Sequence, residues 1–470
     1  MGLWGKSDGL TPCEGTLRSA VATAPAVAGA CLARILILSE DQNRARQLAK
    51  MLRGQGYATS ASDFSVTARK LGRDEHPDLA LIDASDGGEK AVKLAHSLKS
   101  GETAHIPVVM VAELAPPAFR RRALNAGVDD VVIGPFSETI LLLRLKPLVR
   151  LAIMRTELEH RIATARALGL KIDGKIAAPR AGEVSRILVT GAANRELDDV
   201  KKALDRDFDL VTAPDVFAAA SLLHRESYDA LVIVIDGNAE DALYLCGQIR
   251  NNTRLFNLPA LLIADRGAFD SVEEPYMSGA SVLILRPLDQ TEIRTAIESL
   301  VHRQKLRLSI RDQLAAIQSK AGTHEVGGVY GRDFLLAHLD RLISASTSWR
   351  KHLSLVSFQV QNLAWVARDF GAAAANDLLR QVAEWISVLV RTEDMVARVG
   401  DKEFCVVLPE TAIEDAEIVA HRISGVLLNT QFGINGGKDA VSVWLQAGCA
   451  DFVPGDTAAS LIERARHSLR

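Results

Sequence analysis

VARVGDKEFCVVLPE, residues 396–410, decides how the last third of the chain folds. Apolar segments flank a polar tip, Gly400-Asp401-Lys402-Glu403. A glycine-containing break between two such segments predicts a hairpin with a loop longer than two residues. Around it the pattern predicts a helix over 332–345, a strand over 354–360, a helix over 372–390, then a helix over 413–428 and a late strand over 441–450. That order predicts an α+β unit.

Upstream the pattern is different and occurs twice. RILILSED (34–41), PDLALIDAS (77–85), IPVVMVAE (106–113) and DDVVIGPF (129–136) are short apolar strands separated by helical stretches. RILVTGAA (186–193), YDALVIVID (228–236), LPALLIADRG (258–267) and SVLILRPLD (281–289) repeat the order. Strands alternating with helices predict doubly wound, flavodoxin-like parallel sheets. The predicted division is an extension at 1–32, α/β domains at 33–150 and 184–302, helical linkers at 151–183 and 303–324, and the α+β domain at 325–470. The two linkers belong to long amphipathic helices, 138–171 and 291–322. Apolar residues at Ile293, Ile297, Leu300, Val301, Leu306 and Leu308 give an imperfect seam. It would serve a homodimer or pack on its own domain, and the sequence leaves both open.

The 470 residues carry a formal net charge of -3, so bulk electrostatics gives no case for nucleic acid or an anionic membrane. The five cysteines are scattered without CxxC or Cys/His spacing, which argues against a zinc site or a disulfide framework and for a reducing, cytoplasmic setting. No apolar run reaches the ~18 residues of a membrane span. The Ala/Gly/Ser-rich residues 1–32 read as a disordered or spurious extension, and Lys6 breaks the myristoylation pattern.

With these features in place, the chain resembles the PleD-type response regulators, two receiver domains followed by a GGDEF domain. The hairpin RVGDKEFCVVLPET carries the resemblance, and HRIATARALG (160–169) is similar to the linker of that group. The resemblance implies a domain related to those that join two GTP molecules into cyclic di-GMP. It also marks departures. Charge builds on a phosphorus in that reaction, and carboxylates must hold divalent metal. At the implied metal positions stand Lys402 and, on the earlier strand, Gln359 with Gln361. Ala367 and Asn376 replace the guanine-reading Asn and Asp, and the chain stops at RARHSLR before a triphosphate-holding segment would be complete. Asp401 and Glu403 are expected to be solvated turn acids. The expectation is therefore a degenerate, non-catalytic domain with no metal. An active diguanylate cyclase and a phosphorylation-driven regulator are the alternatives.

The family's product site is an RxxD motif five residues before the hairpin motif. Five RxxD matches occur: Arg195/Asp198, Arg206/Asp209, Arg286/Asp289, Arg391/Asp394 and Arg398/Asp401. Only RTED, 391–394, has the register, and Arg422 falls at the position of the family's second arginine. A guanidinium fork suits guanine O6 and N7, and a carboxylate suits its N1–H and N2–H. The structural alternative is an ordinary (i, i+3) Arg–Asp pair. The resemblance implies cyclic di-GMP as ligand, bound as an intercalated dimer, with Arg250 and Arg254 as weaker candidate contacts. It also implies adaptor and protease-recruitment partners, a place in cell-cycle control and localisation at the cell pole.

Phosphotransfer to a receiver needs an acceptor Asp, an acidic pair for Mg²⁺, a hydroxyl and a lysine. In the first domain Asp83 is the candidate phosphoacceptor, but Ser39 and Glu40 (Asp41 adjacent) form a weakened pair, and Ala112 and Gly134 replace the hydroxyl and lysine. Mg²⁺ at Asp83 would be weak. In the second domain Gly191, Ala192, Val234, Ala264 and Arg286 stand at the five positions, with Asp236 two residues past the acceptor place. This domain is expected to be an adaptor surface.

Overall fold

A computed structural model describes residues 30–65, 76–85, 88–113, 117–134, 137–172, 184–191, 195–321 and 327–469. Most of the predicted extension, residues 1–29, lies outside the described residues. Its last residues correct the prediction, because Cys31 is buried and pairs its backbone with Arg350 and His352, while the Leu32 amide donates to Gly56.

The first sheet contains β1 (Arg34–Leu38), β2 (Ala58–Ser62), β3 (Leu79–Asp83), β4 (Val108–Ala112) and β5 (Asp130–Ile133), in the order β2-β1-β3-β4-β5. All its pairings are parallel. β3 and β4 are wholly buried, as strands covered by helices on both faces must be. The second sheet repeats the order with β6 (Ser185–Gly191), β7 (Phe208–Ala213), β8 (Ala230–Val234), β9 (Ala260–Ala264) and β10 (Val282–Leu285).

The third unit has an antiparallel sheet of β11 (Leu353–Val360), β12 (Met395–Arg398), β13 (Glu403–Pro409) and β16 (Leu445–Asp451), with a side hairpin of β14 (Gln431–Ile434) and β15 (Asp439–Ser442). The single late strand expected over 441–450 is thus two strands. Asn362 divides them, its amide donating to the Ser442 carbonyl (2.8 Å) and its oxygen accepting from the Trp444 amide (3.1 Å). The helix expected over 332–345 runs Arg332–Trp349. In its Ser/Thr-rich end the Ser344, Thr347 and Ser348 hydroxyls bond back to carbonyls four residues earlier instead of competing for the backbone outside the helix.

The long helices Glu138–Ala167 and Gln290–Ala321 each grow out of the last helix of an α/β domain. They pack into the third unit. Leu151, Met154, Leu158 and Ile162 share one core with Ile310, Leu314 and Ile317, with Phe334 and Leu339, and with Met395 and Val407 of the sheet. Of the predicted seam, Ile293, Ile297, Leu300 and Val301 are buried in the core of the second α/β domain, and Leu306 packs against the shared core. The first α/β domain also docks directly: Lys351 Nζ lies 2.8 Å from Asp78 and 2.5 Å from Glu410, and Arg34 covers the Trp349 ring.

Candidate functional site

β12 separates two turns, RTED (391–394) before it and the hairpin tip after it. A four-residue strand spans about 13 Å, so the two turns stand at opposite ends of one short strand.

At the tip, Asp401 and Lys402 are exposed. Arg398 braces the loop from below, donating to the Gly400 and Asp401 carbonyls (3.0 and 3.1 Å). Glu403 is not the solvated acid the sequence suggested. It is buried, accepts from Ser357 Oγ (2.9 Å), and takes Nε and Nη2 of Arg466, both at 2.7 Å, in a two-bond fork. The physical reason is register: β13 pairs with β11 and turns Glu403 toward the C-terminal helix. Opposite it, Gln361 Nε2 donates to Gln359 (2.9 Å) and to Gln446 (2.7 Å). Amides bonded to one another thus occupy the implied metal position. Among the described residues no group of three or more His, Cys, Asp or Glu side chains could hold a metal ion.

At the other turn, Arg391, Asp394 and Arg422 come to one corner. Arg391 and Arg422 are exposed, and Arg422 Nη2 donates to the Leu389 carbonyl (2.8 Å), two residues before the motif. Asp394 points inward. One of its oxygens accepts from the Arg391 backbone amide at 2.7 Å, which closes the turn, and the other is buried without a partner. Burial pushes its carboxyl up to about 7, the neighbouring Glu393 charge adds to this, and Arg391 opposes it. The (i, i+3) pair is thus a backbone–carboxylate bond with the guanidinium left outside.

The first linker helix holds this turn. Arg161 Nη2 donates to the carbonyls of Glu393 (2.7 Å) and Asp394 (2.9 Å), and Arg150 Nε lies 3.0 Å from the Glu393 carboxylate. Arg161 is itself fixed by Glu157 (2.6 Å), which also meets His338 Nε2 (2.9 Å). Burial opposes ionisation of the Glu157 carboxyl, but His338 and Arg161 beside it hold it down to about 2. Sequence reasoning missed Arg150, Arg161, Glu157, Glu393 and Arg466. The segment HRIATARALG contains Arg161 and was the available signal.

Arg250 spends its guanidinium on the Gly279, Phe256 and Leu258 carbonyls, and Arg254 donates to the Leu223 carbonyl. Arg250 is thus an internal brace, a correction to the sequence reading, whereas Arg254 is exposed and makes this one carbonyl bond.

The α/β domains have closed acceptor positions. Asp83 is buried and accepts from Ser39 Oγ (2.9 Å) and Arg44 Nε (3.0 Å), while Arg44 also pairs with Glu113. Asp41 caps its helix through the Asn43 and Arg44 amides, and Glu40 faces Lys90. A guanidinium thus sits where a divalent cation would need room. In the second domain, a Cβ on Gly191 would lie 2.7 Å from the Val234 carbonyl oxygen, so only glycine fits there. Arg286 is spent on Glu196 (2.6 Å) and the Ile235 carbonyl (2.8 Å). Ala192 lies outside the described residues.

Residues 321–470 match the family described as "Diguanylate cyclase, GGDEF domain". The C-terminal third is a GGDEF domain. "Response regulator PleD" of Caulobacter vibrioides is 26% identical over 435 residues, 92% of this chain and 95% of that one. "Regulatory protein AtoC" of Escherichia coli is 32% identical over 127 residues, 27% of each chain. Among solved structures, the GGDEF domain of DgcB from Caulobacter crescentus in complex with c-di-GMP covers 31% of this chain and 86% of its own, at 19% identity and a TM-score of 0.30. Over most of its length the chain is similar to response regulator PleD, and it has receiver-type parallel sheets followed by the GGDEF domain. No helix among the described residues is long and apolar enough to cross a membrane.

Proposed function

We propose that this chain is a cyclic di-GMP effector of the PopA type: a GGDEF domain without cyclase activity that binds the dinucleotide at Arg391, Asp394 and Arg422. The observation that carries this reading is the self-closure of the hairpin centre. Glu403 is tied to Arg466 and Ser357, and Gln359, Gln361 and Lys402 stand where metal-holding carboxylates would be required. The RTED turn keeps two exposed guanidiniums beside a carboxylate with an unpartnered oxygen. Those groups suit a guanine edge and a phosphodiester.

In this reading Asp394 swings outward, loses its proton and accepts from guanine N1–H and N2–H. Arg391 and Arg422 take the remaining acceptors. The receiver domains present surfaces to protein partners, adaptors and protease-recruitment factors, in the cytoplasm and at the cell pole during the cell cycle. Asp83 is not phosphorylated, because its carboxylate is buried under Arg44. Two assays test the reading. Incubation with GTP and Mg²⁺ is expected to give no cyclic dinucleotide, and product formation would overturn the claim of inactivity. Calorimetric titration with cyclic di-GMP is expected to show binding to the wild-type chain, and silence at saturating ligand would remove the proposed signal.

A further inference from the structure

The first receiver domain meets the GGDEF domain along a seam where the backbone is held in disfavoured conformations. Among the described residues four that are not glycine have a left-handed φ, and three of them stand here: His76 (38°), Arg350 (52°) and Glu410 (50°). Side chains disfavour that region, and residues held there gather where a fold switches. Three fastenings close the seam. Lys351 is shared by Asp78 of the receiver (2.8 Å) and Glu410 of the GGDEF domain (2.5 Å), and all three side chains are buried. The second Asp78 oxygen accepts from the Arg34 amide at 2.8 Å, which ties this ion triad to the start of β1. The Trp349 ring meets the Arg34 guanidinium and the His76 ring, each at 4.7 Å. Cys31 adds a backbone strap: its amide donates to the Arg350 carbonyl (2.9 Å), and its carbonyl accepts from the His352 amide (3.4 Å).

Beside the fastenings a cleft of about 240 Å³ stays open, with His105, Arg155, His160 and His352 among its walls. The seam is therefore polar, whereas the linker helices enter the GGDEF domain through an apolar core. Small polar contacts between domains are the ones that open. The helix Glu138–Ala167 joins the two bodies. Pro147 sits in it, exposed, near the change from the receiver core (Leu148, Val149) to the shared core (Leu151, Met154). Proline has no amide hydrogen for the Leu143 carbonyl, so the helix is one bond short where the bodies part.

We infer that Lys351 latches the first receiver domain against the GGDEF domain, and that release of this latch lets the receiver swing about Pro147. The left-handed residues load the closed form, and the buried ion triad offsets them. A partner that binds the uncovered faces shifts the chain toward the open form by its preference for that form.

Hydrogen exchange on the full chain tests the inference. The Cys31 and His352 amides are bonded across the seam, whereas the Ala80 amide is bonded within the receiver and the Tyr330 amide within the GGDEF domain. Lys351→Met removes the charge and is expected to speed exchange at Cys31 and His352 by about tenfold or more, with Ala80 and Tyr330 at the wild-type rate. Glu410→Gln keeps the shape and is expected to give the same pattern at smaller size; it decides alone if Lys351→Met fails to fold. Adding Pro147→Ala to Lys351→Met restores the missing helix bond and is expected to take back part of the gain. Wild-type exchange at Cys31 and His352 in these variants would overturn the latch. So would an acceleration that reaches Ala80 and Tyr330 equally, because the seam would then open only with the whole fold. Exchange unchanged by Pro147→Ala would overturn the hinge.

Discussion

The two turns at the ends of β12 handle buried charge in opposite ways. At the hairpin tip, Glu403 has a fork from Arg466 and a hydroxyl from Ser357, and the facing glutamines bond to each other. At the RTED turn, Asp394 and Glu393 each keep a buried oxygen with no partner, and Arg391 stays outside. Unpartnered buried oxygens cost free energy, typically about 1–3 kcal/mol each, so a fold tolerates them where something else completes them. A saturated centre is finished without ligand, whereas an unsaturated one is poised for it. The same contrast separates Asp83, held by Arg44 and Ser39, from the RTED acids.

Four measurements sharpen or break this comparison. The largest effect is expected at the open turn: Arg391→Gly should weaken cyclic di-GMP binding more than a hundredfold with the melting temperature unchanged, because an exposed guanidinium contributes to the ligand and not to the fold. The closed turn should answer in stability instead. Glu403→Ala strips Arg466 and Ser357 of their partner and is expected to cost about 3 kcal/mol, read as an earlier thermal transition with ligand binding retained.

Third comes pH. The Asp394 carboxyl, held at about 7, must be ionised to accept from guanine. Affinity should therefore fall by up to about tenfold per unit as pH drops below 7, level off above 8, and be accompanied by proton release at pH 6.5. Calorimetry in buffers of different ionisation enthalpy reads that proton. The stability of the ligand-free protein has the opposite sign. Asp394 and Glu410 both titrate near 7 when folded, above their unfolded values, so the native state binds more protons and gains stability as pH falls from about 8 toward 5. The smallest effect is expected for Lys402→Asp. Restoring one carboxylate at an exposed tip should give no cyclase product, since Glu403 stays paired with Arg466 and Gln359 stays neutral. Product formation by this variant would mean the hairpin centre is less closed than its bonds indicate.

The architecture was largely legible in the chain. Wholly buried parallel strands such as LALID must be apolar throughout, and the antiparallel hairpin leaves its polar tip between apolar arms, so both wrote themselves into local pattern. The failures were local and physical. The late strand divided because Asn362, far away in sequence, bonds on both sides of the break. The helix 332–349 outran its expected end, where hydroxyls that often stop helices are bonded back to carbonyls four residues earlier. The candidate site was legible only as a set of residues. Arg391, Asp394 and Arg422 could be picked out by register, yet nothing local said that the carboxylate faces inward or that Arg250 is consumed by carbonyls.

Local pattern by itself determined two doubly wound sheets, the α+β unit after them, and the presence of Lys402 and Gln359 at the hairpin centre, because periodicity and residue type carry those facts at short range. Tertiary structure alone decided that Leu158 and Ile162 of one long helix and Ile310 and Leu314 of the other share a core with the GGDEF sheet, that Arg161 clamps the RTED turn, and that Glu393 pairs with Arg150 of the first linker. Those facts depend on which charged groups meet across more than a hundred residues of chain, and the energy of a buried charge is set by its partners in space.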